Sequence, residues 1–140
     1  MTPPLPAPAP ARTPETDEFW AATSTGRLLL ARCAQCTAVI WYPRALCPDC
    51  GSTSVTWIEA SGLGTVYSFT VVHRGTGPYR DAAPYVVAYV ELAEGPRVLT
   101  NLIGCAPDQV QIGQRVRVVF CDTGEGSSLY RFEPAEDPSQ

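Results

Sequence analysis

The chain has 140 residues, 45% of them hydrophobic, and a formal net charge of −4 from 14 acidic residues against 10 basic ones. All ten basic residues are arginine, and the acidic residues outnumber them. Because binding to a phosphate backbone usually needs an excess of positive charge, nucleic acid is not the expected partner. No run approaches the ~18–20 apolar residues of a membrane helix and no secretory signal opens the sequence, which predicts a cytoplasmic protein with no membrane partner.

The first and last residues are predicted to be disordered tails. Residues 1–14 are rich in proline and alanine, and proline removes backbone donors and favours extended chain. Residues 134–140 are assigned to a second tail. The flanking composition therefore places the folded part of the chain between residues 15 and 133.

Residues 15–26 predict a short N-terminal helix. Thr13 or Thr16 could cap its start, and Gly26 is a natural stop. Phe19 and Trp20 are adjacent, about 100° apart around a helix, so they form one broad apolar edge. Since isolated short helices are marginal, this edge must pack either on the chain's own core or on a partner protein.

Residues 27–58 carry the strongest motif, the pattern Cys33-x2-Cys36-x10-Cys47-x2-Cys50. A two-residue spacer lets both thiolates of a pair face one ion, and zinc prefers four such ligands in a closed, structural, tetrahedral site. Strand-forming runs before, between and after the pairs complete the architecture of a rubredoxin-like zinc ribbon. The predicted cofactor is one Zn²⁺ held by Cys33, Cys36, Cys47 and Cys50.

A four-thiolate site can also hold iron, and an electron carrier is therefore an alternative. A dithiol redox pair is less consistent with two pairs at this spacing. A ribbon of this size has no core of its own, so metal binding must supply much of its folding free energy. We expect residues 27–58 to unfold when the metal is removed.

Residues 59–133 predict an all-β unit, and five short strands over this length favour a five-stranded OB-fold barrel. The fold class is thus mainly β, with a short N-terminal helix, a zinc ribbon and a barrel. Period-two alternation in the first run places Thr65, Tyr67, Phe69 and Val71 on one face. One helical turn is expected within residues 104–113. The five strand-like runs are Thr65–His73, Tyr85–Leu92, Arg97–Ile103, Arg115–Cys121 and Leu129–Glu133.

The sequence is poor in catalytic groups. His73 is the only histidine, and a lone histidine at a strand end is usually a surface residue. Cys105 and Cys121 remain after the two pairs, and without a neighbouring base they are expected to be inert thiols. No catalytic residue is therefore assigned.

Taken in order, several motifs resemble a known family. They are Phe19-Trp20, the cysteine ribbon with Pro43-Arg44 inside it, Ser61-Gly-x-Gly64-x-Val-Tyr67, Pro84-Tyr85 before a strand ending Val90-Glu-Leu92, and Gly113-x-x-Val116. The order, which covers residues 17–133, resembles the zinc-ribbon/OB-fold proteins associated with acyl-CoA enzymes. The ribbon alone is shared by many families, whereas the combined order is much more specific.

The resemblance implies a non-catalytic accessory subunit of a thiolase-like enzyme. Partners in this family include acetyltransferases and the lipid-transfer-protein-like thiolases and aldolases of steroid side-chain degradation, and some members are fused to hot-dog-fold enoyl-CoA hydratases. It implies docking through Phe19 and Trp20, acyl-CoA shared with the partner, and a 2:2 heterotetramer. The residues that it places on the acyl-CoA side are Tyr79, Arg80, Pro84 and Tyr85.

A nucleic-acid-binding ribbon and barrel is the alternative of a different class. Its stacking residues would be Trp41, Tyr42, Trp57, Tyr67 and Phe69. Arg115 and Arg117 on one strand face form the best local basic patch. The net charge of −4 argues against this alternative.

Overall fold

The computed structural model describes residues 5–135. The predicted tail residues 1–4 and 136–140 lie outside the described part of the chain. Its elements are α1 (Asp17–Thr23), β1 (Leu29–Cys33), β2 (Val39–Ile40), β3 (Val55–Glu59), β4 (Leu63–Val72), β5 (Tyr85–Leu92), β6 (Arg97–Leu102), β7 (Arg115–Asp122) and β8 (Ser128–Pro134), with 3-10 turns at Gly77–Tyr79 and Pro107–Gln109. The second turn confirms the helical turn expected within residues 104–113.

The ribbon is a three-stranded antiparallel sheet with β1 in its centre. β2 pairs through Ala31 with Ile40, and β3 pairs along the whole of β1, from Leu29 opposite Glu59 to Cys33 opposite Val55. Its own buried cluster is small and consists of Ala31, Cys33, Ile40 and Cys47. Since two of these four residues carry ligand sulfurs, this cluster by itself gives the ribbon little stability, and the buried ribbon residues Leu28 to Leu30 belong to the main core.

The barrel closes in the order β4-β5-β6-β8-β7, which is the OB-fold predicted from the sequence. All neighbours are antiparallel except β6 and β8, which meet in parallel at Leu102 and Phe132. β4 pairs with β5 along nearly its full length but with β7 only from Leu63 to Thr65. The barrel is therefore closed by two short seams and held by three long ones.

The unbroken alternation predicted for β4 is wrong at Tyr67. The register against β5 shifts between Val66 and Ser68, which marks a β-bulge. Val66 is buried before the bulge, and Phe69 and Val71 pack against the core after it, whereas Tyr67 is 47% exposed. The extra residue changes which positions face inward, so Tyr67 does not share a face with Phe69 and Val71.

At two positions of the Ser61–Tyr67 motif, the structure explains why the residue is glycine. Gly62 has φ of +82°, and a Cβ there would lie 2.6 Å from Val118 Cγ1. A Cβ at Gly64 would lie 2.6 Å from the carbonyl oxygen of Glu91. The entry into β4 therefore needs residues without a side chain at both positions.

Helix α1 inserts its aromatic edge between the ribbon and the barrel. Phe19 is 0% exposed and makes edge contacts with Trp41 at 5.4 Å and with Tyr130 at 5.9 Å between ring centroids. Trp20 is 5% exposed, stacks on Tyr130, and donates from Nε1 to the Tyr42 hydroxyl at 2.8 Å. We refer to Phe19, Trp20, Trp41, Tyr42 and Tyr130 as the aromatic cluster.

The ends of α1 differ from the expected capping. Thr16 is the N-cap residue, but its side chain makes no hydrogen bond to the helix and instead accepts from the Thr13 backbone N–H at 3.0 Å. The helix ends at Thr23, three residues before Gly26. Thr23 then accepts a hydrogen bond from the Ser128 backbone N–H at 2.9 Å, which ties the end of the helix to β8.

Residues 5–14 have neither helix nor strand, and the disordered tail expected over residues 1–14 stays a prediction. Residues 5–14 are not surrounded by solvent alone, however. The guanidinium of Arg131 in β8 donates to the backbone carbonyl oxygens of Leu5 and Pro6, and Arg12 forms an ion pair with Asp17 at 2.8 Å. This N-terminal segment therefore lies against the barrel and the start of α1.

Among residues 5–135, no helix combines the length and the apolar character needed to cross a membrane.

The packing of Phe19 predicts a large loss of stability for Phe19→Ala. Removing a fully buried ring should lower the free energy of unfolding by about 3–5 kcal/mol, measured by urea denaturation. Ile112→Ala is the matched control because Ile112 is 70% exposed, and its effect should stay within about 0.5 kcal/mol. Equal effects of the two changes would contradict the aromatic cluster as a stabilising centre.

Candidate metal centre and apolar cavity

The four ligand sulfurs predicted from the sequence meet at one point. The Sγ atoms of Cys33, Cys36, Cys47 and Cys50 all lie within 4.8 Å of one another. Cys33 and Cys50 are separated by 3.6 Å, and so are Cys36 and Cys47. A tetrahedron with Zn–S bonds of about 2.3 Å has edges of roughly 3.8 Å, so the spacing fits one zinc ion.

The backbone of each cysteine pair explains how the sulfurs converge. In the first pair the Cys36 N–H donates to Cys33 Sγ at 3.4 Å, and Thr37 adopts a left-handed φ of 65°. In the second pair Gly51 has φ of 78° and its N–H donates to the Cys47 carbonyl at 2.9 Å. In both turns the residue after the last ligand therefore has a left-handed backbone conformation. Glycine adopts this conformation without steric cost, whereas the first pair has threonine there.

The ionisation of the thiols also fits a cation. The Cys36 backbone N–H is the main cause that lowers the pKa of Cys33 to about 6, which favours the thiolate. For Cys50, the Ser52 backbone hydrogen bond lowers the pKa, but its neighbour Cys33 and burial together raise it. One thiolate thus hinders its neighbours from ionising unless a divalent cation compensates the charge. These four cysteines are positioned to bind one zinc ion.

A separate apolar cavity of about 590 Å³ lies on the barrel. Its walls come from the start of β5, the end of β6 with the loop after it, the end of β7, and Leu5 of the N-terminal segment. The lining residues are Leu5, Ala82, Pro84, Tyr85, Val86, Leu102, Ile103, Gly104, Cys105, Ala106, Pro107, Cys121 and Arg131. This volume falls within the roughly 300–1,000 Å³ of small-molecule sites.

The four residues predicted for the acyl-CoA side divide in the structure. Pro84 and Tyr85 line the cavity. Tyr79 lies beside it, with its ring 5.4 Å from that of Tyr85 and its hydroxyl 3.3 Å from Arg131 Nη2. Arg80 is exposed at the end of the 3-10 turn and is not among the lining residues. Their role in binding acyl-CoA stays a prediction.

The two residues predicted for docking are turned inward. Phe19 and Trp20 belong to the chain's own core, which is one of the two environments that the sequence left open. Docking by these side chains stays a prediction, and it would require the aromatic cluster to open.

Sequence reasoning missed Arg131. Among the cavity-lining residues that the structure describes, it is the only charged one, and it is 2% exposed. The sequence did contain a signal for a buried charge. Arg131 lies between two aromatic residues, Tyr130 and Phe132, in the middle of β8. Neighbouring strand residues point to opposite faces, so with Phe132 in the core, Arg131 faces the side that the N-terminal segment covers.

Besides Arg131 and Tyr85, the titratable groups described in the cavity lining are two thiols, and His73 lies elsewhere. His73 is exposed and does not line the cavity. Cys105 and Cys121 both line it, and burial raises the pKa of Cys105, which disfavours its thiolate. The cavity lining contains no imidazole and no carboxylate among the described residues.

Three of the five residues expected to serve a nucleic-acid binder pack against the core. Trp41, Trp57 and Phe69 are half-buried there, whereas Tyr42 and Tyr67 are exposed. Within the predicted Arg115–Arg117 patch, Arg117 pairs with Glu133 at 2.9 Å, which offsets its charge.

The fold and the cysteine site together define a zinc-ribbon/OB-fold protein. The model of the rubredoxin-like zinc ribbon domain of ChsH2 matches residues 20–56, and that of the C-terminal OB-fold domain of ChsH2 matches residues 57–121. The chain belongs to this ChsH2-type family, whose members are also described as DUF35 proteins. This confirms the family that the sequence resembles.

Two relatives and one solved structure illustrate the family. The chain is 40% identical to a probable enoyl-CoA hydratase alpha subunit of Thermomonospora curvata, over 91% of this chain but only 40% of that protein. It is 40% identical to a DUF35 domain-containing scaffold protein of Methanothermobacter thermautotrophicus, over 74% of this chain and 84% of that protein. A chain of the Ltp2–ChsH2(DUF35) aldolase superposes with a TM-score of 0.83 at 39% identity, covering 91% of this chain and 100% of that one.

The metal centre predicts one zinc ion per chain by elemental analysis, without the visible absorption of ferric tetrathiolate. Cys36→Ser should lower the zinc content because it removes one of four ligands. Cys105→Ser and Cys121→Ser are matched controls outside the cluster and should leave the content unchanged. Bound iron, or full zinc occupancy in Cys36→Ser, would contradict the assignment.

Removing the metal should unfold the ribbon before the barrel. Since the ribbon's own cluster has four buried residues, chelation should abolish amide protection in residues 27–58, measured by hydrogen exchange. Protection retained throughout these residues after complete zinc removal would contradict the prediction.

Proposed function

We propose that this chain is a non-catalytic accessory subunit of a thiolase-superfamily enzyme, either a thiolase or a lipid-transfer-protein-like aldolase. In this proposal it docks on the partner and contributes part of the wall of an acyl-CoA cavity. The observation that carries the proposal is the likeness, along nearly the whole described chain, to the ChsH2-type chain of an aldolase.

The chemistry of the site supports a subunit without activity of its own. The cavity offers an apolar lining, two thiols and one guanidinium. General acid–base catalysis most often uses an imidazole or a carboxylate, and neither group lines this cavity among residues 5–135. The zinc site has four protein ligands and no open position, as in structural sites.

Acyl-CoA contact is proposed for the edge of the cavity. Pro84 and Tyr85 line it, and Tyr79 lies directly beside it. Arg80 is exposed nearby and could meet a CoA phosphate, for which a guanidinium is well suited. The partner would then supply the catalytic groups and the rest of the binding site.

Docking is proposed for the face formed by the helix and the ribbon. Since Phe19 and Trp20 are buried in the isolated chain, their contribution would be to fix the shape of this face or to become exposed on binding. A 2:2 heterotetramer is the proposed assembly, and the cytoplasm is the proposed compartment. Steroid side chains remain one proposed class of acyl group.

A hot-dog-fold enoyl-CoA hydratase is the second candidate partner. The Thermomonospora relative is named as the alpha subunit of a probable enoyl-CoA hydratase, which favours this candidate. The chain spans 40% of that relative, so the hydratase function would lie with residues or a partner beyond the matched part.

Purification of the tagged chain from its native host tests the proposal. A thiolase-like or aldolase protein should be recovered in near-equal amount, identified by mass spectrometry. The separately produced partner should then lose acyl-CoA activity without this chain and regain it on addition. The chain alone should show little activity.

The control for this experiment is the Cys36→Ser chain, which should fail to restore activity if the folded ribbon is needed for docking. Recovery of a hydratase instead would favour the second candidate. Recovery of nucleic acid, or of no acyl-CoA enzyme with a folded and zinc-loaded chain, would contradict both.

A further inference from the structure

Among residues 5–135, the buried guanidinium of Arg131 has no anionic partner. Its side chain donates to the carbonyl oxygens of Leu5 and Pro6 and to the Tyr79 hydroxyl, the last at 3.3 Å. Among residues 5–135, none of the ion pairs includes Arg131, and its Nε atom has no hydrogen-bond partner. Burying a charge costs free energy unless it is paired and fully hydrogen-bonded.

One donor of the Arg131 guanidinium, Nε–H, has no acceptor among residues 5–135. In arginine, Nε–H and one Nη2–H point the same way and form a side-on pair of donors suited to the two oxygens of a carboxylate. Here Nη2 donates to the Pro6 carbonyl and to the Tyr79 hydroxyl, while Nε remains without an acceptor. A carboxylate at this edge would accept from both nitrogens and would compete with these two acceptors for Nη2.

The surroundings of Arg131 limit what such a ligand can be. Apart from this guanidinium, the cavity is lined by aliphatic, proline, thiol and tyrosine side chains. A phosphate dianion would keep one uncompensated negative charge beside a single guanidinium, whereas an apolar chain ending in one carboxylate matches both the lining and the single charge. Leu5 lines the same cavity, so the N-terminal segment occupies the space where such a ligand would enter.

We propose that this cavity is a binding site for an apolar carboxylate, with Arg131 holding the carboxylate side-on and the segment around Leu5 and Pro6 competing for the same place. The site goes beyond the proposed function because it belongs to the isolated chain and needs no partner. Binding of the carboxylate then requires release of the N-terminal segment from Arg131.

Calorimetric titration of the zinc-loaded chain with octanoate tests the site, with octanamide and inorganic phosphate as comparison ligands. Octanoate should bind at least about 10-fold more tightly than octanamide, since hydrogen bonds to a charged group are the stronger ones. Phosphate should bind no more tightly than octanamide. In a ¹⁵N-labelled chain, octanoate should shift the amides around Tyr85, Ile103 and Cys121.

Three variants test whether the carboxylate binds at Arg131. Arg131→Met should weaken octanoate about 10-fold to 100-fold and remove the preference over octanamide. Arg97→Met is the matched control, because Arg97 lies over the Tyr67 ring and does not line the cavity. Removal of residues 1–7 keeps Arg131 and should tighten octanoate binding, since the competing carbonyls are gone.

The truncated chain also keeps the test decisive if Arg131→Met does not fold. Equal affinities for octanoate and octanamide, absence of octanoate binding in both the full and the truncated chain, or tighter binding of phosphate would each overturn the proposal. So would octanoate binding that removal of residues 1–7 leaves unchanged or weakens.

Discussion

The architecture depends on the aromatic cluster in which Phe19 is the centre. Its ring contacts Trp41 and Tyr42 from the ribbon and Tyr130 from the barrel, so one helix residue joins both units. Edge-to-face rings add a specific geometry to the apolar area that they bury. Burial raises the pKa of the Tyr130 phenol above its usual range, which disfavours its phenolate form. A short helix therefore gives ribbon and barrel one shared core.

Much of this fold was predictable because its signals are local. The cysteine spacing identifies the metal site, since each pair needs only its own turn, and β5 was predicted with the bounds Tyr85–Leu92 that the structure has. The bulge in β4 was not predictable from alternation, because Tyr67 leaves the inner face only through its register against β5. The inward packing of Phe19 and Trp20 likewise depended on which distant rings were available.

The cavity was only partly predictable. Pro84 and Tyr85 came from the family resemblance, whereas Arg131 and Leu5 lie 126 positions apart in the chain and meet through a hydrogen bond that no local pattern encodes. A composition of proline and alanine predicts extended backbone near the N-terminus, but it does not predict that a buried guanidinium will use two of its carbonyls. Tertiary contacts of this kind decide the chemistry of the site.

The short seams of the barrel have a consequence for its slow motions. The strand pairing of β4 with β7 covers Leu63 to Thr65, with a few flanking backbone hydrogen bonds, and β6 pairs with β8 at Leu102 and Phe132. Fewer backbone hydrogen bonds hold these strands than hold the other pairs of the barrel, so we expect an opening that leaves β4, β5 and β6 as one sheet and β7 with β8 as another to require less free energy than other openings. Leu102 and Cys121 lie on opposite sides of this division, and both line the cavity. Such an opening would therefore widen the cavity and let it accept a ligand larger than its volume of about 590 Å³.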